Sequence, residues 1–391
     1  MTQQGPQDSV HEAFGVYVHV PFCTRRCDYC AFATWTDRWH LVDEYVSACH
    51  SQASAEGLAP ATSVFFGGGT PSLLAADQLG AILDVIPREA DAEVTVECNP
   101  ETVTSDLLAG YRSAGVTRLS FGVQSWKPHV LASLGRQHDP ASVTAAVAAA
   151  ADNGFGDSFS VDLIYGAVGE TVADWEATLD AVCSLDPAPA HVSAYGLTPE
   201  PGTPLGQDVA RHPDDDDQAD KYLLADDALT SAGLEWYELS NWARPGRECR
   251  HNQLYWDQGA YQGIGAAAHS HRPGPGSGSR RWWNLRTPER YIRAVAAGDS
   301  VVAAEDVIDK ETRDLEALQL ALRTRRGVPG AALQDALSYD PRLAELVEPR
   351  GKGSERNAEA GSDGDSRLVL TRRGRLLAND IATLLQTLHN G

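Results

Sequence analysis

Three cysteines stand close together in VHVPFCTRRCDYCAFAT, residues 18–34: Cys23, Cys27 and Cys30, in the spacing Cys-x3-Cys-x2-Cys. Three thiolates so placed can hold three corners of a cubane iron–sulfur cluster, where four would close it. The fourth iron then keeps an open position, the arrangement of a reactive metal site and not of a purely structural one. The spacing leaves other readings open: a zinc ion completed by His19 or Cys49, or three thiols that hold no metal. Cys49, Cys98, Cys183 and Cys249 are isolated, as small buried residues are.

Further candidate groups are spread along the chain. Gly67-Gly68-Gly69-Thr70-Pro71 lets backbone approach a ligand without a Cβ in the way, and is expected to offer consecutive N–H donors and a hydroxyl. Glu97, Gln124, Arg136 and Asp162 provide polar groups for a ligand with an amine, a carboxylate and a ribose. In RHNQLYW, His251 offers an imidazole, and Tyr255 and Trp256 offer aromatic faces. The same letters also describe a hydrogen-bonded histidine and two aromatics that hold a loop.

Repeated βα units position these groups. The runs GVYVHV, TSVFFG, AEVTVEC, TRLSFG, SFSVDLI and AHVSAYG read as strands, and segments such as LVDEYVSACHSQAS and PASVTAAVAAAADNG have helical length and spacing. Such units build a parallel sheet with helices outside, and chemistry collects in the loops after the strands. The cysteines follow the first run, the glycines the second, Glu97-Cys98-Asn99-Pro100 the third and Gly122-Val123-Gln124-Ser125 the fourth; Asp162 ends the fifth and Tyr195 the sixth. The expected fold is α/β, a partial, open barrel of six βα units over residues 1–205. An accessory region, 206–286, and a small α+β domain resembling a winged helix, 287–391, should follow. RPGPGSGSR reads as a flexible turn or linker, the Gly/Ser/charge-rich segment 351–366 as a disordered insert, and the run Asp214–Asp217 as a solvated loop.

With 54 acidic and 32 basic residues in 391, the net charge of −22 disfavours a surface that tracks nucleic-acid phosphates. Seven cysteines, an odd number without a secretory start, disfavour a disulfide framework, and no apolar run approaches the roughly 20 residues of a membrane span. A cytoplasmic protein is expected.

The motifs YVHVPFC, FFGGGTPS, VECNP, SFGVQS, LGRQHDP, SVDLIYG, RHNQLYW and YQGIGAAAHS occur in this order. Through them nearly the whole chain resembles the radical S-adenosylmethionine (SAM) superfamily, in the branch of the oxygen-independent coproporphyrinogen III oxidases and the HemW haem chaperones. The resemblance implies a 4Fe–4S cluster on Cys23, Cys27 and Cys30, whose open iron is chelated by SAM and whose electron converts SAM to methionine and a 5′-deoxyadenosyl radical. It implies SAM contacts from Tyr17, Tyr29, Gly68, Gly69, Thr70, Glu97, Gln124, Arg136 and Asp162, and haem contacts from His251, Asn252, Tyr255 and Trp256.

Within that branch two functions compete. The oxidases decarboxylate two propionates to vinyl groups; the chaperones bind haem and hand it to haem-requiring, respiratory proteins. The oxidases carry a fourth cysteine two residues after the third ligand, where this chain has Phe32, and a longer segment ahead of the first strand, where it has fourteen residues. The expectation is a haem chaperone without oxidase activity. Its implied partners are haem, client proteins and a reductant for the cluster, with transient visits to the membrane face.

Overall fold

A computed structural model describes residues 13–274, 278–351 and 367–389. Six strands, β1 (Phe14–Val20), β2 (Ala61–Gly68), β3 (Arg88–Cys98), β4 (Arg118–Gln124), β5 (Phe159–Tyr165) and β6 (His191–Gly196), lie side by side in chain order, every neighbouring pair parallel. They are covered on the outside by helices, and their outward residues (Val16, Val64, Val96, Leu119, Val161, Val192) pack into one core with Tyr45, Leu79, Tyr111, Val147 and Trp175. The inner positions alternate with these outward ones and carry polar residues such as Thr95, Ser120, Ser160 and Ser193, so each strand has one apolar and one polar face. All six sit where the sequence places them.

The sheet does not stop at residue 205. β7 (Glu235–Glu238) and β8 (Asn241–Ala243) add antiparallel to β6. On the other edge β9 (Ala260–Ile264) pairs parallel with β1, and β10 (His269–Pro273), β11 (Ser279–Asn284) and β12 (Val302–Ile308) continue antiparallel. The result is one open sheet of twelve strands among the described residues, with β12 and β7 at its edges. β10 and β11 run into RPGPGSGSR from both sides, so of the two readings, turn or linker, its described ends favour the turn.

Asp214–Asp217, expected as a loop, opens the helix Asp215–Ser231, because Asp214 caps it by accepting from the Asp217 N–H at 2.9 Å and acidic side chains favour a helix N-terminus. The C-terminal part has its own core (Leu315, Leu322, Val328, Leu333, Leu343, Leu370, Ile381 and Leu385) under an antiparallel sheet of β13 (Val328–Pro329), β14 (Val347–Pro349) and β15 (Arg367–Leu370). Except for Gly351, the insert 351–366 lies outside the described residues. Among the described residues no helix is long and apolar enough to cross a membrane.

Candidate cofactor site

On the inner face of the partial barrel the side chains follow the two-residue period of a strand. Thr95 and Glu97 of β3, Ser120 and Gln124 of β4, Ser160 and Asp162 of β5, and Ser193 and Tyr195 of β6 all line one cavity of about 740 Å³. Cys23, Cys27 and Cys30 line it too, as do Tyr17, Tyr29, Gly68, Gly69, Thr70 and Arg136. Twelve sequence-selected side chains and backbone positions from five strand ends therefore meet in one space of cofactor size.

The cysteine loop is tied down along its length. The Cys23 N–H donates to Trp35 O at 3.1 Å, the Asp28 N–H reaches Leu134 O at 3.4 Å, and the Asp28 carboxylate pairs with Arg211 at 2.9 Å. The glycine loop presses on it from the next strand. Gly69 N–H donates to Val20 O at 2.8 Å, Thr70 N–H to Phe22 O at 2.9 Å, and Gly68 N–H to Glu97 Oε2 at 3.0 Å. This corrects the expectation of free N–H donors: the three amides are spent inside the protein. The glycines are needed for closeness, since a Cβ on Gly69 would sit 2.6 Å from Phe22 O and 3.0 Å from Cys23 Sγ. Gly68 in addition has a φ of +110°, where a side chain would be strained.

Hydrogen-bond donors reach the sulfurs. The Thr70 hydroxyl lies 3.7 Å from Cys23 Sγ and Arg136 Nη1 lies 3.7 Å from Cys27 Sγ. Arg136 is fixed by Asn99 Oδ1 at 2.8 Å and Gly122 O at 2.9 Å, so its charge stays beside the loop. Burial pushes the Cys23 thiol up to about 11, against the Thr70 hydrogen bond, so a thiolate there needs a compensating positive centre.

Three thiols around one cavity, two of them with donors, fit a multinuclear cluster. Both proposed fourth zinc ligands are engaged elsewhere: His19 bonds Tyr17 Oη at 3.1 Å and Ala33 O at 3.0 Å, and Cys49 is sealed in the core beside Tyr291 Oη at 3.8 Å.

The two inner carboxylates differ in how they are held. Asp162 accepts from Ser120 and Ser193, both at 2.7 Å, and burial still raises its carboxyl. Glu97 has only the Gly68 N–H; burial, then the neighbouring Asp162 charge, pushes it up to about 7. A ligand cation next to Glu97 would relieve that cost. Gln124 has a φ of +64° at an irregularity in the β4–β5 pairing, which turns its amide into the cavity. Arg118, which the sequence reading passed over, lines the cavity with Glu93 3.8 Å away; an arginine inside an otherwise buried strand was the available signal.

The helix Arg250–Trp256 packs across β1 and β2. His251, Asn252 and Tyr255 line the cavity; Trp256 lines neither this cavity nor the one beside it. The His251 ring is wholly enclosed, with Nδ1 bonded to Ser63 Oγ and Nε2 to Tyr255 Oη, both at 2.9 Å. Burial lowers it to about 3, so it is neutral. Both nitrogens are occupied.

A second cavity, of about 820 Å³, adjoins the first and shares Tyr17, Ala31, Phe32 and Tyr255 with it. Phe32 is 60% exposed in that common wall.

Comparison with known proteins bears on this arrangement. The model of the radical SAM superfamily matches residues 17–182. The chain is similar to the haem chaperone HemW of Mycobacterium tuberculosis, with 40% identity over 392 residues covering 96% of this chain and 95% of that protein. It is also similar to the haem chaperone HemW of Synechocystis, with 36% identity over 344 residues covering 81% and 79%. Among solved structures, coproporphyrinogen III oxidase HemN from Escherichia coli, described as a radical SAM enzyme, superposes with a TM-score of 0.78 at 21% identity, over 96% of this chain and 91% of that one. That last likeness is one of fold.

Proposed function

The chain belongs to the radical SAM superfamily and, within it, to the HemW family, and from that premise we propose that it is a haem chaperone built on a SAM and iron–sulfur scaffold. The superfamily's 4Fe–4S cluster and SAM are its cofactors, and when bound they supply a one-electron route to a carbon radical. Cys23, Cys27 and Cys30 hold the cluster in this reading. Tyr17, Tyr29, Gly68, Gly69, Thr70, Glu97, Gln124, Arg136 and Asp162 surround SAM, and Glu97 is the group suited to its cationic end because it is the less satisfied carboxylate. Tyr255 borders the haem, with His251 holding it in place through the 2.9 Å bond to its hydroxyl, while Asn252 lines the cluster cavity. The chaperone works in the cytoplasm, receives electrons for its cluster from a reductant protein, and passes haem to respiratory clients at the membrane face.

One residue carries the choice of carrier over oxidase. Phe32 stands two positions past the last cluster cysteine, exposed between the two cavities, where the oxidases of this branch have a thiol. A phenyl ring neither ligates a metal nor donates a hydrogen atom to a substrate radical, whereas it packs well on a porphyrin face.

The test runs both functions on one preparation. Cluster-loaded protein, kept anaerobic with SAM and a reductant, should leave coproporphyrinogen III unchanged and should develop a Soret band when titrated with haem. Accumulation of protoporphyrinogen IX would refute the chaperone reading.

A further inference from the structure

The HemW-type reading requires a haem seat, and the enclosed His251 does not provide one. We propose that haem sits in the second cavity, edge-on to β10 and β11, with His269 as its axial ligand and Arg286 and Arg290 pairing with its two propionates. This rests on the haem-chaperone reading and adds the location and the ligands.

Consider first the imidazoles of the two cavities. His19 and His251 have both ring nitrogens engaged, and His191 is buried with Nε2 on Tyr237 Oη at 2.8 Å. His271 has Nδ1 on Gly259 O at 2.8 Å and an Nε2 without a partner among the described residues, but that nitrogen is buried, as is the unpartnered Nδ1 of His191. His269 differs from all of them: it is exposed, and its side chain makes no hydrogen bond among the described residues. Its orientation is nevertheless set, since it lies opposite Trp283 in the β10–β11 ladder and stacks on that indole with centroids 5.6 Å apart and planes 23° apart. A neutral, oriented imidazole with a free nitrogen is what haem iron takes.

The charges point the same way. In a chain of net charge −22, three arginines converge on this cavity. Arg281 is committed to Glu316 at 3.2 Å, but neither Arg286 nor Arg290 has a carboxylate within 4.0 Å among the described residues. Two uncommitted guanidiniums next to aromatic walls match a flat apolar ring with two carboxylates at one edge. Phe32, Tyr255 and Trp283 supply the walls, and the volume of about 820 Å³ is in the range of cofactor sites. Phe32 and Tyr255 also border the cluster cavity, so haem here would lie against the wall it shares with the cofactors.

The experiment is a spectroscopic haem titration of cluster-loaded protein, wild type and variants, with iron and sulfide content and melting temperature as folding controls. His269→Ala should weaken haem binding by about tenfold or more and remove the imidazole signature, and His269→Cys should replace it with a thiolate one. Wild type should prefer haem over haem dimethyl ester by about tenfold, and Arg286→Ala/Arg290→Ala should erase that preference. The proposal is overturned if these variants behave as wild type while His251→Ala loses binding, a result that would leave the haem-chaperone reading standing. Wild-type protein that binds no haem would overturn both.

Discussion

Replacing Gly69 by alanine tests how the cluster loop is built. The new Cβ would lie 2.6 Å from Phe22 O, 2.7 Å from Val20 O and 3.0 Å from Cys23 Sγ, where ordinary contact begins at 3.4 Å. Two of the three neighbours are backbone carbonyls, so no rotamer relieves the clash, and the loops must separate by about 0.8 Å at the closest point. Overpacking of this kind costs about 1–3 kcal/mol. The separation also stretches the 2.8 Å and 2.9 Å bonds from Gly69 and Thr70 to those same carbonyls, each worth about 1 kcal/mol. A total of about 3–5 kcal/mol falls on the segment that carries Cys23, and we expect Gly69→Ala to lose most of its iron and sulfide while the apo-protein still melts cooperatively. The assay is iron and sulfide quantification after anaerobic reconstitution, alongside the cluster's visible absorption. Full cluster content with an unchanged melt would refute the reasoning that these glycines serve loop contact.

Two further predictions concern buried charge. Glu238 is 2% exposed, and burial pushes its carboxyl up to about 7. Because the folded value lies above the unfolded one of about 4.3, folding binds the proton more tightly, and its stabilising effect is complete below that value and lost as pH rises through 7. Glu238→Gln should therefore gain on wild type by up to about 3 kcal/mol between pH 4.5 and 7.5, measured as urea midpoints; a gap independent of pH would contradict the assignment. Lys221, fully buried, bonds Asp217 at 2.6 Å, Glu170 O at 2.9 Å and Glu170 Oε2 at 3.2 Å, joining the accessory helix to the barrel. Lys221→Met strands the Glu170 carboxylate and should cost about 3–5 kcal/mol, part of which Glu170→Gln restores in the double variant; additive losses would show that the pair is not coupled.

The barrel was legible because its strands are short β-rich runs separated by segments of helical length and its functional groups fall at strand ends, both local signals. Cys23, Cys27 and Cys30, the glycine loop, Glu97, Gln124, Arg136 and Asp162 all reach the one cavity they were expected to share. What was illegible depends on pairing between distant segments. Nothing in GAYQGIGAAAHSH says that β9 will pair with β1, yet that pairing brings Tyr255 and His269 beside Phe32. Whether the N–H groups of Gly68, Gly69 and Thr70 are free or spent likewise follows from where Val20 O, Phe22 O and Glu97 lie. The RHNQLYW motif was readable as a motif but not as geometry. Only the packing against Ser63 shows that His251 has no nitrogen to offer.

Hand-over of haem is the central claim. The direct measurement follows haem leaving the loaded, anaerobic protein, into a passive scavenger in one experiment and into a haem-free respiratory client in another. The account predicts a transfer rate to the client that rises with client concentration and exceeds the rate into the scavenger. Equal rates, independent of client concentration, would mean that haem only dissociates, and would contradict a chaperone.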